Sequence, residues 1–108
     1  LKLMERKKIL VGTLYTNEHE YDECIKSIAN QSYTDFDHLI VKDLPNKEAH
    51  TTLFSSFIHN KDKYDYLIKV DADMVISDSQ LFAKIVTKMA ELPEIQILSI
   101  AVHDFFSV

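Results

Sequence analysis

The sequence predicts an α/β domain with three layers, α/β/α, built around a mainly parallel sheet of about four strands. Three observations carry this expectation. Short apolar runs of strand length alternate with apolar stripes at helical spacing, so the chain reads β-α-β-α-β-α-β. One run, Tyr66-Leu-Ile-Lys-Val70, ends in two carboxylates one residue apart, Asp71 and Asp73, and open α/β sheets place ligands at such strand ends. With 108 residues, 46% of them hydrophobic, the chain has the material for one core and therefore one domain, 1–108.

Each element follows from its own residues. Lys8 to Leu14 is an apolar run of strand length, and Asn17 with Glu20 has the spacing of a capping box that opens a helix. Tyr21, Cys24, Ile25 and Ile28 make that helix's apolar stripe, and Asn30-Gln-Ser-Tyr33 closes it. Phe36 to Val41 is a second strand. Pro45-Asn46 breaks the chain, Asn46 is placed to cap, and Ala49, Leu53, Phe54, Phe57 and Ile58 mark the buried side of a second helix. The third strand, Tyr66 to Val70, follows Asn60-Lys-Asp-Lys63. Ser77 and Gln80 form another capping-box pair, and Leu81, Phe82, Ile85, Val86 and Met89 line a third helix that Pro93 stops. Ile95 to Val102 is the fourth strand. Strand-helix-strand units of this kind call for right-handed crossovers, with helices on both faces of the sheet.

Composition excludes several function classes. Gly12 is the only glycine, so neither a Walker loop nor a G-x-G-x-x-G dinucleotide fingerprint is present, and there is no G-x-S-x-G elbow. The formal net charge of −5 argues against a nucleic-acid surface. Cys24 is the single cysteine, which rules out an internal disulfide or a cysteine-rich zinc site, and its helical spacing marks it as a small core residue. No apolar run approaches the roughly 20 residues of a membrane helix. The amino end lacks a signal peptide's apolar core, so the expected location is cytoplasmic.

In a parallel sheet the carboxyl ends of the strands share one edge. That edge would gather Thr13 to Asn17, Lys42 to Asn46, Asp71 to Asp73 and His103-Asp104. Asp71 and Asp73 are two residues apart, so extended backbone turns both side chains the same way. Two hard oxygen ligands suit Mg²⁺ or Mn²⁺, which completes its shell with water and substrate phosphates; the same pair also fits an acidic turn facing solvent. Two unit charges about 4 Å apart repel by on the order of 4 kcal/mol at an effective dielectric near 20, so a phosphorylated ligand needs a cation between itself and these groups. Lys42, Asp43 and Lys47 offer further charge, and Tyr15 and Tyr33 offer rings for stacking on a flat base. His19, His38, His50 and His59 read as surface or internally satisfied histidines.

These residues in this order resemble the donor-binding half of a family 2 glycosyltransferase with the Rossmann-like GT-A fold. The resemblance runs from about Lys8 to Val102 and rests on Ile9-Leu-Val-Gly-Thr-Leu-Tyr-Thr-Asn-Glu18, on Glu23 to Tyr33 with its Asn-Gln-x-Tyr ending, on Phe36 to Asp43, and on Lys69-Val-Asp-Ala-Asp-Met-Val75 as the Asp-x-Asp motif. It implies metal-dependent transfer of a sugar from a nucleotide-diphosphate sugar to an acceptor hydroxyl of a glycan or lipid, with inversion. It also implies that Thr13, Tyr15, Asn17, Asp43 and Asp71 bind the donor and that Asp73, with Asp71, holds Mn²⁺ or Mg²⁺. The general base is expected beyond Val108, and the acceptor-side half with it. Where many relatives carry Asp-Asp-Gly-Ser after the second strand, this chain has Lys42-Asp43-Leu44-Pro45-Asn46. The alternatives are a catalytically incomplete GT-A-like binding or assembly module, with self-association as a homo-oligomer, and a sugar-phosphate nucleotidyltransferase. The latter typically has a glycine-rich basic first loop, which Thr13 to Asn17 lacks.

Overall fold

In the computed structural model, which describes residues 6–92, 94 and 96–100, strands and helices alternate. The order is β1 (Ile9–Tyr15), α1 (Tyr21–Ala29), β2 (Phe36–Lys42), α2 (Asn46–His59), β3 (Tyr66–Val70), α3 (Leu81–Ala90) and β4 (Ile97–Ile100). All pairings are parallel and the strand order is β2-β1-β3-β4. The α/β expectation is met, with four strands and three helices among the described residues. His103 and Asp104 lie outside the described residues, as do the ends of the predicted fourth strand at Ile95, Ala101 and Val102.

Strand alternation sorts the core onto two faces. Ile9 and Val11 of β1 and Tyr66, Ile68 and Val70 of β3 point to one side, where Cys24 and Ile28 of α1 meet Leu81, Phe82, Ile85 and Met89 of α3. Leu10 and Leu67 point to the other, under Leu53 and Phe57 of α2. Gly12 lets α2 approach: a Cβ there would stand 2.3 Å from Leu53 Cδ1. Ile58, assigned by spacing to the buried side of α2, is 57% exposed. It falls one position past Phe57, at the margin of a stripe that Ala49, Leu53 and Phe57 already fill.

One expectation about connectivity fails. From β1 to β2 and from β3 to β4 the chain steps across the sheet in opposite directions, yet α1 and α3 share a face. Those two crossovers therefore have opposite hands, and the set cannot be uniformly right-handed. Among the described residues two helices insulate one face and α2 covers the other.

The helix starts differ from the sequence expectation as well. Neither α1 nor α3 has a side-chain cap from its own N-cap residue. Asn17 does not cap, because α1 starts at Tyr21 with Glu20 in the N-cap position; the Glu18 carboxylate accepts from the Thr16 and Asn17 N–H groups at 2.9 and 3.2 Å. Pro45, not Asn46, occupies the N-cap position of α2. At α3, Asp78 accepts from the Gln80 N–H at 2.9 Å, and the Phe82 N–H donates to Gln31 Oε1 at 2.9 Å. The cap of α3 therefore comes from the end of α1. The same amide donates through Nε2 to the Asp78 carbonyl at 2.8 Å, and Gln31 is 3% exposed. Gln31→Ala is expected to strip partners from two main-chain groups and cost about 2–3 kcal/mol in a urea melt; a loss below about 0.5 kcal/mol would show that water replaces the amide without penalty.

Candidate functional site

The strand order reverses between β1 and β3, since β1 leads outward to β2 and β3 leads outward to β4. Open α/β sheets bind ligands in the crevice at such a point. A cleft of about 310 Å³ lies there, lined by Leu14 and Tyr15 from the end of β1, Val41 from β2, Asn46, Ala49 and His50 from the first turns of α2, and Lys69, Asp71, Ala72 and Asp73 from β3 and its loop. Thr16, Glu18 and Leu44 complete it.

Both aspartates line the cleft, but not by strand alternation: β3 ends at Val70 and the chain turns at Ala72 and Asp73, with the Met74 N–H donating to the Asp71 carbonyl at 3.0 Å. Asp73 is exposed, and Asp71 is half-buried. The loop that carries them is held from beneath by α1 and the turn that follows it. Cys24 Sγ lies 3.5 Å from the Asp71 carbonyl, the Ile76 N–H donates to Ser27 Oγ at 3.0 Å, and Gln31 grips Asp78 and Phe82. Cys24 and Ser27 lie on one face of α1, and Gln31, two residues past its end, continues the contact, so together they reach along the segment from the carboxylates to α3. Burial, with the Asp73 charge second, pushes the Cys24 thiol up to about 11. It stays protonated and is structural.

The cleft holds only part of the predicted donor-binding set. Tyr15 and Asp71 line it, and so does Asp73. The Tyr15 ring packs on Tyr21, centroids 3.9 Å apart. Thr13 does not reach the cleft: it is fully buried, alternates with Ile9 and Val11 toward the α1 side, and its hydroxyl pairs with His38 Nε2 at 2.8 Å. Burial lowers the His38 pKa, favouring the neutral ring. Asn17 and Asp43 are exposed and outside the lining; Asp43 adopts a positive φ of 58° as β2 turns, a conformation Asp tolerates. Tyr33 is at the opposite edge, its hydroxyl donating to the Lys7 carbonyl and its ring under Arg6.

Comparison with family models, curated proteins and solved structures finds no match. The chemistry of the cleft therefore rests on its own residues.

Three lining groups escaped the sequence reading. Lys69 is largely buried on a central strand, with Nζ donating to Asp71 Oδ1 at 2.7 Å. His50 has Nδ1 2.8 Å from the Asn46 carbonyl; a carbonyl only accepts, so Nδ1 carries the proton. Glu18 uses its carboxylate on the loop N–H groups, and the Thr16 N–H bond is the largest influence holding its pKa low. It is an ionised brace of the β1–α1 loop. The start of α2 adds a further polar element. Its N-cap is Pro45, without a side-chain cap, so the first-turn N–H groups present partial positive charge on the cleft side.

No group of three or more His, Cys, Asp or Glu side chains suited to a metal converges among the described residues. That excludes there a closed site built wholly from such ligands. It leaves the donor set of an Mg²⁺ or Mn²⁺ that is held by one or two carboxylates and completed by water and ligand phosphates. Asp73 and the Asp71 oxygen not bonded to Lys69 match that set.

Proposed function

We propose that this chain is the donor-binding part of a metal-dependent glycosyltransferase, taking a nucleotide-diphosphate sugar in the cleft at the strand-order reversal between β1 and β3. The observation that carries the reading is the pair of carboxylates at the end of β3, both lining a cleft at the strand-order reversal. The resemblance of the Asp-x-Asp segment and its flanking elements to family 2 glycosyltransferases gives the pair its meaning.

Within this reading each wall has a task. Asp73 and the outer oxygen of Asp71 would hold Mn²⁺ or Mg²⁺, which supplies Lewis acidity to a departing nucleoside diphosphate. The open start of α2 favours the diphosphate through its unpaired N–H groups. Tyr15, packed against Tyr21, offers a rigid ring for a flat base. Val41, Leu44 and Ala49 supply apolar surface. No helix among the described residues is long and apolar enough to cross a membrane.

The test is a calorimetric panel of nucleoside diphosphates with and without Mn²⁺. Binding is expected only with the ion, and Asp73→Ala is expected to weaken it by at least about tenfold while the melting temperature of the free protein stays within about 2 °C, as for an exposed surface change. Unchanged affinity in Asp73→Ala would falsify the metal assignment. No binding of any nucleoside diphosphate would favour an assembly module instead.

A further inference from the structure

Lys69 is an unexpected residue where it stands. It sits on the central strand, between Ile68 and Val70, which are fully buried, and its register partner on β1 is Gly12. Its side chain is only 14% exposed, against 49% for Asp71. A lysine so placed loses hydration, and a close carboxylate compensates for that loss. The partner is Asp71, at 2.7 Å. Lysine and aspartate are two residues apart, so β periodicity carries both toward the same rim.

The consequence for a cation is direct. Of the charged side chains lining the cleft, three are carboxylates, Glu18, Asp71 and Asp73, and one is the Lys69 ammonium. Glu18 is committed to the Thr16 and Asn17 N–H groups, and Asp71 has one oxygen committed to Lys69. Among the described residues an incoming divalent ion therefore meets one unengaged carboxylate, half of another, and a fixed positive charge beside them. A site of this composition holds the ion weakly until phosphate oxygens complete its shell.

We infer that Lys69 is a positioning residue that makes metal binding depend on the diphosphate: it fixes Asp71 and competes for its charge, so the ion is held firmly only together with its ligand. This rests on the proposed function for the identity of the ligand, but its test uses Mn²⁺ alone. Lys69→Met keeps the length of the side chain and removes the charge. Binding of Mn²⁺, with no nucleotide present, is followed by electron paramagnetic resonance of the free ion in the wild type, Lys69→Met, Asp71→Asn and the double variant.

The expected result is an affinity about tenfold higher in Lys69→Met than in the wild type, and a change of no more than about twofold when the same substitution is made in Asp71→Asn. Lys69→Arg, which keeps the charge, is expected to bind as the wild type does. An affinity unchanged or lowered by Lys69→Met, an equal rise in both backgrounds, or no Mn²⁺ binding in any variant overturns the inference. A wild type that binds Mn²⁺ but no nucleoside diphosphate would count against the proposed function while leaving the four-variant comparison to decide on Lys69.

Discussion

Phe82→Ala is expected to remove about 3–5 kcal/mol of stability, the range for truncating a fully buried aromatic ring. Phe82 is 0% exposed and belongs to the larger core cluster, where α1 and α3 meet the sheet. Its ring meets Phe36 edge-on, centroids 5.5 Å apart and planes at 90°, an arrangement that adds to burial alone. Other members of that cluster, Ile9, Ile28 and Ile68, are on regular elements and nearly inaccessible to water, so relaxation can recover little. A domain of this size commonly has about 5–15 kcal/mol in total. The variant should therefore unfold at a markedly lower urea midpoint, with Phe82→Leu recovering most of the loss. A change below about 1 kcal/mol would mean that α3 is not docked as described.

The second large effect is expected on the opposite face. Gly12→Ala places a methyl group 2.3 Å from Leu53 Cδ1, 2.6 Å from Cδ2 and 2.9 Å from Cγ. All three atoms belong to one side chain, and Leu53 is itself 0% exposed, so it cannot swing into solvent. Either the leucine leaves its rotamer or α2 lifts from β1, and overpacking of this kind costs about 1–3 kcal/mol. Leu53→Ala alone is expected to cost about 2–5 kcal/mol through the cavity it leaves. The two together should cost clearly less than their sum, because the new methyl group enters the space the leucine vacated. Strict additivity in denaturation midpoints would contradict the close approach of α2 to Gly12.

The order of elements was legible because the two hydrophobic periods, two and 3.6 residues, are cleanly separated along this chain. The start of α3 was not. Ser77 and Gln80 have capping-box spacing, but the Phe82 N–H is bonded to Gln31, a residue whose role depends on α1 and α3 being neighbours; no local window contains that information. The hand of the third crossover was hidden for the same reason, since both faces of a parallel sheet present apolar residues. At the cleft, Asp71, Asp73 and Tyr15 were legible from their place at strand ends. Thr13 was misplaced although the signal was available: β1 continues to Tyr15, and a residue in step with Ile9 and Val11 follows them under α1. Lys69 also carried a signal, being the one charged residue in Tyr66–Val70 and in phase with Asp71. His50 had less, because only the docked position of α2 brings its first turns to the strand ends.

The clasp of Cys24, Ser27 and Gln31 on the segment after β3 bears on how the rim behaves. Its grips, at Asp71, Ile76, Asp78 and Phe82, span the carboxylate loop from one end to the other. Such a loop is no independent flap: it loosens when the first helix loosens, and the two form one cooperative opening unit. Under the proposed function, an ion held by the exposed aspartate would therefore be felt in the first helix, and loosening of that helix would be felt at the carboxylates.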